Sequence, residues 1–475
     1  MTRWICDTAG SVTDTSLPAP LIRAVDHARR FLPSLPDRPV TVDASFAALV
    51  SALGGALSES GDEPARVIDD LAAMALPGLM PTAGPRYFGF VTGGSYPVAV
   101  AADWLVSTWD QNAALHVMSP AMSAIEAVTA HWIVDVLDLP RESSVAFVTG
   151  AHMANVTGLA AARDEVLRRH GWDVESRGLQ GAPTVTVLAG AEAHSSIAAA
   201  TRLIGLGADT IVRVPSDDQG RMRADALASL LSSSDGPRIV CAQAGNVNTG
   251  ACDPFVPIAS AARAHGAWLH VDGAFGLWAA ASPALRHLVD GVARADSWTT
   301  DGHKWLNVPY DSGIAIVAHP SAHRAAMSQS AVYLTPASNA ERDGMDWTPE
   351  ASRRGRAVPI YAVFRALGRS GLAELVERCC RLASRMAWRL QSAEGIRVLN
   401  DVVLNQVLVR FESADGANVT PAVVAGVQRE GTCWCGPTGW QGEPAMRISV
   451  SNWQSSEQDI DRSADAIIGV HRQAR

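Results

Sequence analysis

Residues 267–275 are Ala-Trp-Leu-His-Val-Asp-Gly-Ala-Phe, a short apolar run that ends in an aspartate and a glycine. Three other runs have the same form: VAFVTG at 145–150, TVTVLAG at 184–190 and RIVCAQAG at 238–245. Each run has the length of a strand, is bounded by turn residues and alternates with alanine-rich stretches of helical length. This alternation predicts an α/β fold with a mainly parallel sheet that helices cover on both faces.

The ends of these four runs indicate where the chemistry of the protein lies. Each run finishes in a polar residue or a glycine. Open parallel sheets bind their ligands at the carboxyl ends of the strands, where loops and helix N-termini converge. We therefore expect the functional side chains to come from the segments that directly follow these runs.

The composition excludes several classes of protein. Of the 475 residues, 48% are hydrophobic and 18% are charged, which is typical of a folded globular chain and argues against disorder. No run of eighteen uncharged apolar residues is present, so the sequence predicts no membrane span and no membrane partner. The net charge of -9 disfavours binding to a phosphate backbone, so no nucleic-acid partner is predicted.

Cysteine usage and the first residues of the chain bear on its compartment. The count of seven Cys is odd, and the start MTRWICDTAG has no basic segment that leads into an apolar one. These features predict a reducing, cytoplasmic location. The pairs Cys379/Cys380 and Cys433/Cys435 do not have zinc-ligand spacing, so we expect no metal site.

Changes in composition along the chain suggest four parts. The prolines between Pro33 and Pro39 indicate a linker, and an amphipathic helix is predicted from about Asp43 to Leu57. After Ile314 the pattern changes to a loop rich in Pro, Asn, Asp and Gly, then a long Arg-rich helix and further strands, which predicts a smaller C-terminal α+β domain. The predicted parts are an N-terminal segment 1–84, a large domain 85–335, a loop 336–352 and a small domain 353–475.

Two residues form the strongest chemical signal. Lys304 follows a strand-like segment and stands between a histidine and a tryptophan, which is a poor place for a solvated charge and a good one for a lysine in a pocket. Asp272 ends its own apolar strand, and a carboxylate buried there needs a cationic or strongly donating partner to stay ionised. A protonated pyridine nitrogen is such a partner, so the pair indicates pyridoxal phosphate chemistry.

Two further segments support this interpretation. His194 follows the strand TVTVLAG, where an imidazole can lie flat against an aromatic cofactor ring. Thr149–Asn155 is a strand-to-helix turn whose free N–H groups and helix dipole suit a phosphate.

The order of these motifs resembles the group II pyridoxal-phosphate decarboxylases, the family of the aromatic amino acid, histidine and glutamate decarboxylases. The resemblance extends from about residue 80 to the end of the chain, including Arg353-Arg354 and Arg447-Ile448-Ser449. It rests on five segments in fixed order: VTGAHMANVTGLAAAR, AHSS, GNVNTGACDPF, WLHVDGAFG and ADSWTTDGHKWLNVPYDSG. The resemblance implies a fold type I enzyme that decarboxylates an L-amino acid with pyridoxal 5′-phosphate.

The resemblance also implies roles for individual residues. Lys304 would form the Schiff base with the cofactor, Asp272 would pair with its pyridine nitrogen, and His194 would stack on the ring and act in catalysis. The other implied cofactor contacts are Ala151 and His152 through backbone N–H groups, Asn246, Ala274 and His303. Phe90, Thr92 and His116 are expected to line the substrate pocket. Arg447 would either anchor a substrate carboxylate or form a structural ion pair.

The sequence departs from the family in the predicted loop. Alignment on Arg353-Arg354 places Gly344 where the aromatic amino acid decarboxylases carry a protonating tyrosine, and Tyr333 stands before the loop. Without that acid the carbanion formed by loss of CO2 can react with dioxygen and give an aldehyde, or take a proton from His194, Tyr333 or Lys304. His152 and Gly302 also differ from the expected residue types, which suggests a specialised member of secondary metabolite biosynthesis.

Other readings of the same motifs remain open. A pyridoxal-phosphate enzyme can instead break a different bond, as a β-eliminating carbon–sulfur lyase or an aminotransferase does, and a catalytically inactive scaffold is a third reading. The resemblance implies a homodimer with shared active sites, in which the N-terminal segment 1–84 contacts the second subunit and residues 336–352 form a mobile active-site loop. The apolar stretch Trp104–Trp109 fits a subunit interface, but it also fits the interior of a single subunit.

Overall fold

The computed structural model describes residues 17–329 and 341–474. Its backbone divides into two compact units that meet in sequence at Pro81 and Thr82. The described residues of the first unit form three α-helices, α1 (Ala19–Ser34), α2 (Phe46–Leu53) and α3 (Pro64–Ala75). In this unit the Asp69 carboxylate lies 2.8 Å from Arg23 and 2.7 Å from His27, which joins α3 to α1.

Helix α2 is shorter than the helix predicted from Asp43 to Leu57. It begins after Ser45, whose hydroxyl accepts a hydrogen bond from the Ala48 N–H at 3.2 Å, and it ends at Gly54. A serine cap and a following glycine are ordinary signals for the two ends of a helix. The hydrophobic periodicity of the sequence therefore extends beyond the residues that are helical.

The second unit is built on a seven-stranded sheet with the order β1-β7-β6-β5-β4-β2-β3. Strand β7 pairs antiparallel with β1 and with β6, and the other pairs are parallel. The mainly parallel sheet predicted from the sequence is confirmed. The strands are β1 Ser144–Val148, β2 Thr186–Gly190, β3 Ile211–Val214, β4 Arg238–Gln243, β5 Trp268–Asp272, β6 Ser297–Asp301 and β7 Gly313–Val317.

Helices cover both faces of this sheet and bury four of its strands completely. Every residue of β1, β5, β6 and β7 is buried, as the near-continuous apolar runs predict for a sheet covered on both sides. The helices are α4 Pro97–Trp109, α5 Pro120–Val136, α6 Ala151–Arg169, α7 Val174–Arg177, α8 Ser195–Leu203, α9 Ala224–Ser232, α10 Phe255–Ala264, α11 Pro320–Met327 and α12 Ala357–Gln391. Helix α12 contains a break at Gly368, whose φ is 60°.

The C-terminal part of the second unit is an antiparallel sheet of order β10-β11-β9-β8 with helices on one side. Its apolar core joins the end of α12 to these strands. The elements are β8 Ile396–Val398, β9 Gln406–Phe411, α13 Thr420–Glu430, β10 Gly436–Trp440, β11 Glu443–Ser449 and α14 Glu457–Ala474. This is the smaller α+β arrangement that the sequence predicts.

Asn307 connects the segment after β6 to the C-terminal part. Its side-chain NH2 donates to the Ser451 carbonyl at 2.9 Å, and its Oδ1 accepts from the N–H groups of Gly94 and Trp453 at 2.6 and 3.0 Å. Asn307 is fully buried, so these bonds form away from water. The turn that carries Lys304 is thereby held between two distant parts of the chain.

A search of the described helices finds none with the length and apolar character that a membrane crossing requires.

Candidate active site

A cavity of about 460 Å³ lies at the carboxyl ends of the parallel strands. The segments that follow β1, β2, β4, β5 and β6 all contribute to its wall, as expected for a sheet of this type. Nine of the predicted site residues line it: Phe90, Ala151, His152, His194, Asp272, Ala274, His303, Lys304 and Arg447.

Lys304 reaches this cavity from the turn after β6. Its Nζ lies 3.0 Å from the Oδ2 of Asp301, which is the last residue of β6 and is only 1% exposed. Lys304 is the only lysine in the chain, and the other 38 basic residues are arginines. A position that needed only a cation could use arginine as the rest of the chain does, whereas an amine can lose its proton and form a Schiff base.

Asp272 is a buried carboxylate without a cationic partner. It is 6% exposed and accepts hydrogen bonds from the Asn155 amide, the Ser196 hydroxyl and the Ala274 N–H, at 3.3, 3.4 and 3.2 Å. It forms no ion pair with any residue in the described ranges. Three long bonds to neutral donors compensate only in part for the burial of a charge. The carboxylate is therefore suited to a cation that enters from the cavity.

His194 stands immediately before helix α8 and is held in one tautomer. Its Nδ1 accepts from the Ser196 N–H at 3.2 Å and lies 2.8 Å from the Ser196 hydroxyl. A nitrogen that accepts from an N–H carries no proton, so in the neutral ring the proton is on Nε2. Burial lowers the pKa of His194, although the nearby Asp272 carboxylate opposes this change. The side chain is therefore a neutral imidazole with one N–H to donate.

His303 is held in the same tautomer by a different contact. Its Nδ1 accepts from the Ser312 N–H at 3.0 Å, so its proton is on Nε2, which lies 3.5 Å from Asp301 Oδ1. Burial lowers the pKa of His303 as well. The ring also stacks on Tyr310, with 4.3 Å between the ring centroids. His303 thus offers one N–H close to the start of α6.

The first turn of α6 offers N–H groups that the helix itself does not use. Gly150, Ala151, His152 and Met153 all line the cavity there. The N–H of Ala151 donates to Asp301 Oδ1 at 2.6 Å, which differs from the expectation that it faces a phosphate. The neighbouring N–H groups and the positive end of the helix dipole remain suitable for an anion.

Three predicted residues do not line the cavity. Asn246 is fully buried, and its Oδ1 accepts from the N–H groups of Asn248 and Thr249 at 2.9 and 3.2 Å, so it shapes the turn after β4. Thr92 is buried and hydrogen-bonds the Tyr310 hydroxyl. His116 lies 3.3 Å from the Glu341 carboxylate, outside the cavity.

Arg447 projects from β11 into the cavity. It forms no ion pair with any acidic residue among those described, and burial lowers its pKa. The sequence leaves two roles open for Arg447, a carboxylate anchor or a member of a structural ion pair. The described contacts include no partner for a structural ion pair. The guanidinium is free to bind a carboxylate inside the cavity.

The described end of the predicted loop packs away from the cavity. Gly344 is buried, and a Cβ at this position would lie 1.8 Å from a guanidinium nitrogen of Arg353. That guanidinium is fixed by the buried Glu126 at 2.7 Å. A side chain at position 344 would displace this ion pair. Tyr333 lies outside the described residues.

Asp301 is the main site residue that the sequence analysis missed. It contacts Lys304, the Ala151 N–H and His303, and so it joins three elements of the cavity. An acidic residue three positions before a lysine at the end of a strand was an available signal. The way in which the chain folds back after β6 could not be read from the pattern.

The arrangement fits pyridoxal 5′-phosphate. An amine, an unpaired buried carboxylate and a helix N-terminus beside an imidazole N–H match the aldehyde, the ring nitrogen and the phosphate of that molecule. No group of His, Cys, Asp and Glu in the described ranges has the geometry of a metal site.

Comparison with known proteins agrees with this fit. A family model described as the pyridoxal-dependent decarboxylase conserved domain matches residues 49–412. The chain is 30% identical to the L-2,4-diaminobutyrate decarboxylase of Rhizobium meliloti, over 78% of this chain and 75% of that protein. It is 26% identical to the aromatic-L-amino-acid decarboxylase of Bacillus atrophaeus, over 82% and 80%.

Solved structures share the fold. The Oryza sativa TDC crystallised with PLP and tryptamine superposes with a TM-score of 0.90 at 22% identity, and the match covers 98% of this chain and 99% of that chain.

Proposed function

This chain belongs to the pyridoxal-dependent decarboxylase family, and from that membership we propose that it removes the α-carboxylate of an L-amino acid as CO2. It is a carboxy-lyase that uses pyridoxal 5′-phosphate. When bound, this cofactor supplies an aldehyde that captures the substrate amino group and a conjugated ring that accepts the electron pair left at Cα.

Each part of the cofactor has a proposed holder in the cavity. Lys304 would bind the aldehyde carbon and Asp272 the pyridine nitrogen. His303 Nε2 and the first-turn N–H groups of α6 would bind the phosphate, with Ala274 and His194 on the two ring faces.

The observation that carries the proposal is the placement of the only lysine opposite an unpaired carboxylate. Lys304 and Asp272 line the same cavity, and both line it together with the α6 N-terminus. Elsewhere in the chain, cationic positions are filled by arginine. A single lysine at this position fits a side chain that reacts as an amine and not one that supplies only positive charge.

Arg447 and the apolar wall would orient the substrate. The guanidinium has no acidic partner among the described residues, and Phe90, Val247 and Phe275 line the same cavity. An apolar wall excludes water, and a poorly hydrated carboxylate loses CO2 more readily because its charge is dispersed as the bond breaks. We propose that Arg447 binds a carboxylate of the substrate.

His194 would transfer the proton that takes the place of the lost carboxylate. Its Nδ1 is occupied by the Ser196 N–H, so its single proton is held at Nε2 in the cavity. Because burial lowers the pKa of the ring and favours its neutral form, His194 would deliver this proton only when Nδ1 takes up another in the same step. Lys304 lines the same cavity and can also carry a proton.

Gly344 favours an oxidative variant of the reaction as a second candidate. The glycine cannot donate a proton, and the space beside it is filled by Arg353. In this variant the amino acid, dioxygen and water would give an aldehyde, CO2, ammonia and hydrogen peroxide. The oxygen is reduced by two electrons to peroxide while Cα is oxidised to the aldehyde carbon.

A product assay tests both candidates. Incubation with a panel of L-amino acids is expected to release CO2, with the amine as the other product. In the oxidative variant, CO2, peroxide and aldehyde form in equal amounts, and their formation stops when dioxygen is removed. Release of a thiol and pyruvate, or amino transfer to 2-oxoglutarate without CO2, would contradict decarboxylation and favour elimination or transamination.

We further propose that the enzyme is a homodimer with shared active sites, as the family resemblance implies. Trp104, Leu105 and Trp109 project from α4 and are 45%, 46% and 44% exposed, whereas Ala102 and Val106 of the same helix are buried. The three side chains therefore do not enter the interior of the described chain. A helix with apolar residues on both sides is typical of one that packs against a partner.

Charged substitutions at this surface are expected to separate the subunits. Trp104→Glu with Trp109→Glu would place two carboxylates in the interface, so light scattering after gel filtration is expected to shift from dimer to monomer mass. Trp388→Glu, at a tryptophan that is 66% exposed on α12, is the matched control and should leave the mass unchanged. A double variant that remains dimeric would argue against this interface.

A further inference from the structure

Four buried polar side chains form a continuous line of hydrogen bonds that ends on Asp272. The Trp268 Nε1 lies 2.9 Å from the Ser297 hydroxyl, which lies 2.8 Å from His270 Nδ1. His270 Nε2 lies 2.9 Å from Asn155 Oδ1, and the Asn155 amide donates to Asp272 Oδ2 at 3.3 Å. None of the four side chains is exposed to solvent.

The secondary structure brings these residues together. His270 and Asp272 are two positions apart on β5, so their side chains point to the same face of the sheet. Ser297 is paired with His270 on the neighbouring strand β6. Asn155 projects from α6, the helix that packs on this face.

The direction of donation along the line follows from its first and last members. The indole of Trp268 can only donate and Asn155 Oδ1 can only accept, so Ser297 accepts from the indole and His270 Nε2 carries a proton. When the ring is neutral, its Nδ1 therefore has no proton and accepts from Ser297. Burial lowers the pKa of His270 to about 4, so the ring is neutral and its one proton is on Nε2. That proton goes to Asn155 Oδ1, which turns the amide NH2 toward Asp272. The Asp272 carboxylate therefore meets an N–H donor at this oxygen.

Gly158 gives independent support for the importance of the His270 ring. It lies inside α6, where glycine is less favourable than alanine. A Cβ at this position would lie 2.9 Å from Cε1 and 3.0 Å from Nδ1 of His270. The helix thus has a glycine at the point where a larger residue would move the ring.

We propose that His270 and Asn155 are positioning residues that hold Asp272 in its ionised form, so that the cofactor ring nitrogen keeps its proton. This inference rests on the role proposed above for Asp272. Apolar side chains would fill the same buried space without the cost of desolvating four polar groups. The line of bonds is explained if its purpose is to present one N–H to the carboxylate.

The experiment measures the protonation state of the cofactor ring nitrogen directly. Holoenzyme reconstituted with pyridoxal phosphate labelled with ¹⁵N in the ring is studied by solid-state NMR, and the cofactor concentration for half-saturation is measured separately. His270→Phe and Asn155→Leu are expected to lower the protonated fraction and to raise the half-saturation concentration about tenfold, the effect of losing one hydrogen bond to a charged group.

Matched controls separate positioning from a general effect on the fold. His323→Phe replaces another fully buried histidine, which bonds Ser144 and Trp347 instead, and should leave the ¹⁵N signal unchanged. Gly158→Ala retains every hydrogen-bonding group and should shift the signal in the same direction as His270→Phe. Gly469→Ala, in α14 where a Cβ meets nothing within 4 Å, should not.

The outcomes distinguish the two levels of the proposal. Asp272→Asn calibrates the signal, and if this variant leaves the ring nitrogen protonated, the role of Asp272 itself is wrong. If Asp272→Asn removes the proton while the His270, Asn155 and Gly158 variants all behave as wild type, only the positioning role is overturned. Should His270→Phe fail to fold, Gly158→Ala and Ser297→Ala decide the matter by the same readout.

Discussion

Replacing Lys304 with alanine is expected to lower turnover by about 10⁴-fold or more, because the same amine binds the cofactor and can carry protons during the reaction. The visible absorbance of the bound cofactor should be lost at the same time. Because Lys304 is the only lysine of the chain, the variant has no other side-chain amine that could take its place. Steady-state kinetics and an absorbance spectrum of the purified variant check both effects.

Lys304→Arg is the control for charge. It keeps a cation beside Asp301, which lies 3.0 Å from the amine in the native chain, but a guanidinium does not lose its proton near neutral pH. We expect this variant to be as inactive as the alanine variant and at least as stable. A Lys304→Arg enzyme with substantial activity would show that the position needs only positive charge.

Asp272→Asn is the second substitution with a large expected effect. The amide has the same shape but no charge to hold a proton on the ring nitrogen, so turnover should fall by roughly 10³-fold, the upper range for removal of one preorganised electrostatic group. The affinity for the cofactor should fall as well. Turnover and cofactor titration measure these changes, and thermal unfolding of the variant shows whether the fold is intact.

Asp272→Glu provides the comparison with the charge retained. Its longer side chain would move the carboxylate out of reach of the Asn155 amide and the Ala274 N–H, so partial activity is expected. Asp272→Asn should then be the weaker enzyme of the two. The reverse order, or Asp272→Asn at the wild-type rate, would mean that the carboxylate charge has no part in the reaction.

Much of the large sheet could be predicted from local pattern. The four apolar runs that end in polar residues correspond to β1, β2, β4 and β5, because strands buried on both faces are apolar throughout. The direction of β7 could not be predicted. Its run GIAIV is as apolar as its neighbours, and only the short return after β6 makes it antiparallel.

In the site, as in the sheet, the local sequence pattern predicts some features, and others depend on the tertiary fold. Asp272 and His194 follow strand ends, so their approach to one cavity follows from the fold class. Asn246 also follows a strand end, but its side chain is used to fold its own turn. The pairing of Asp301 with Lys304 and the space taken by Arg353 beside Gly344 depend on how distant segments meet. No periodicity encodes such contacts.

Borohydride reduction of the holoenzyme, followed by intact mass measurement and peptide mapping, tests most directly whether Lys304 forms a Schiff base with the cofactor. We expect one reduced cofactor per chain, attached to the peptide that contains Lys304, and no adduct in Lys304→Ala. The chain offers only one other kind of amine, at its N-terminus, so the assignment is unambiguous. A reduced holoenzyme without an adduct on Lys304, or with the adduct only at the N-terminus, would contradict a Schiff base at Lys304.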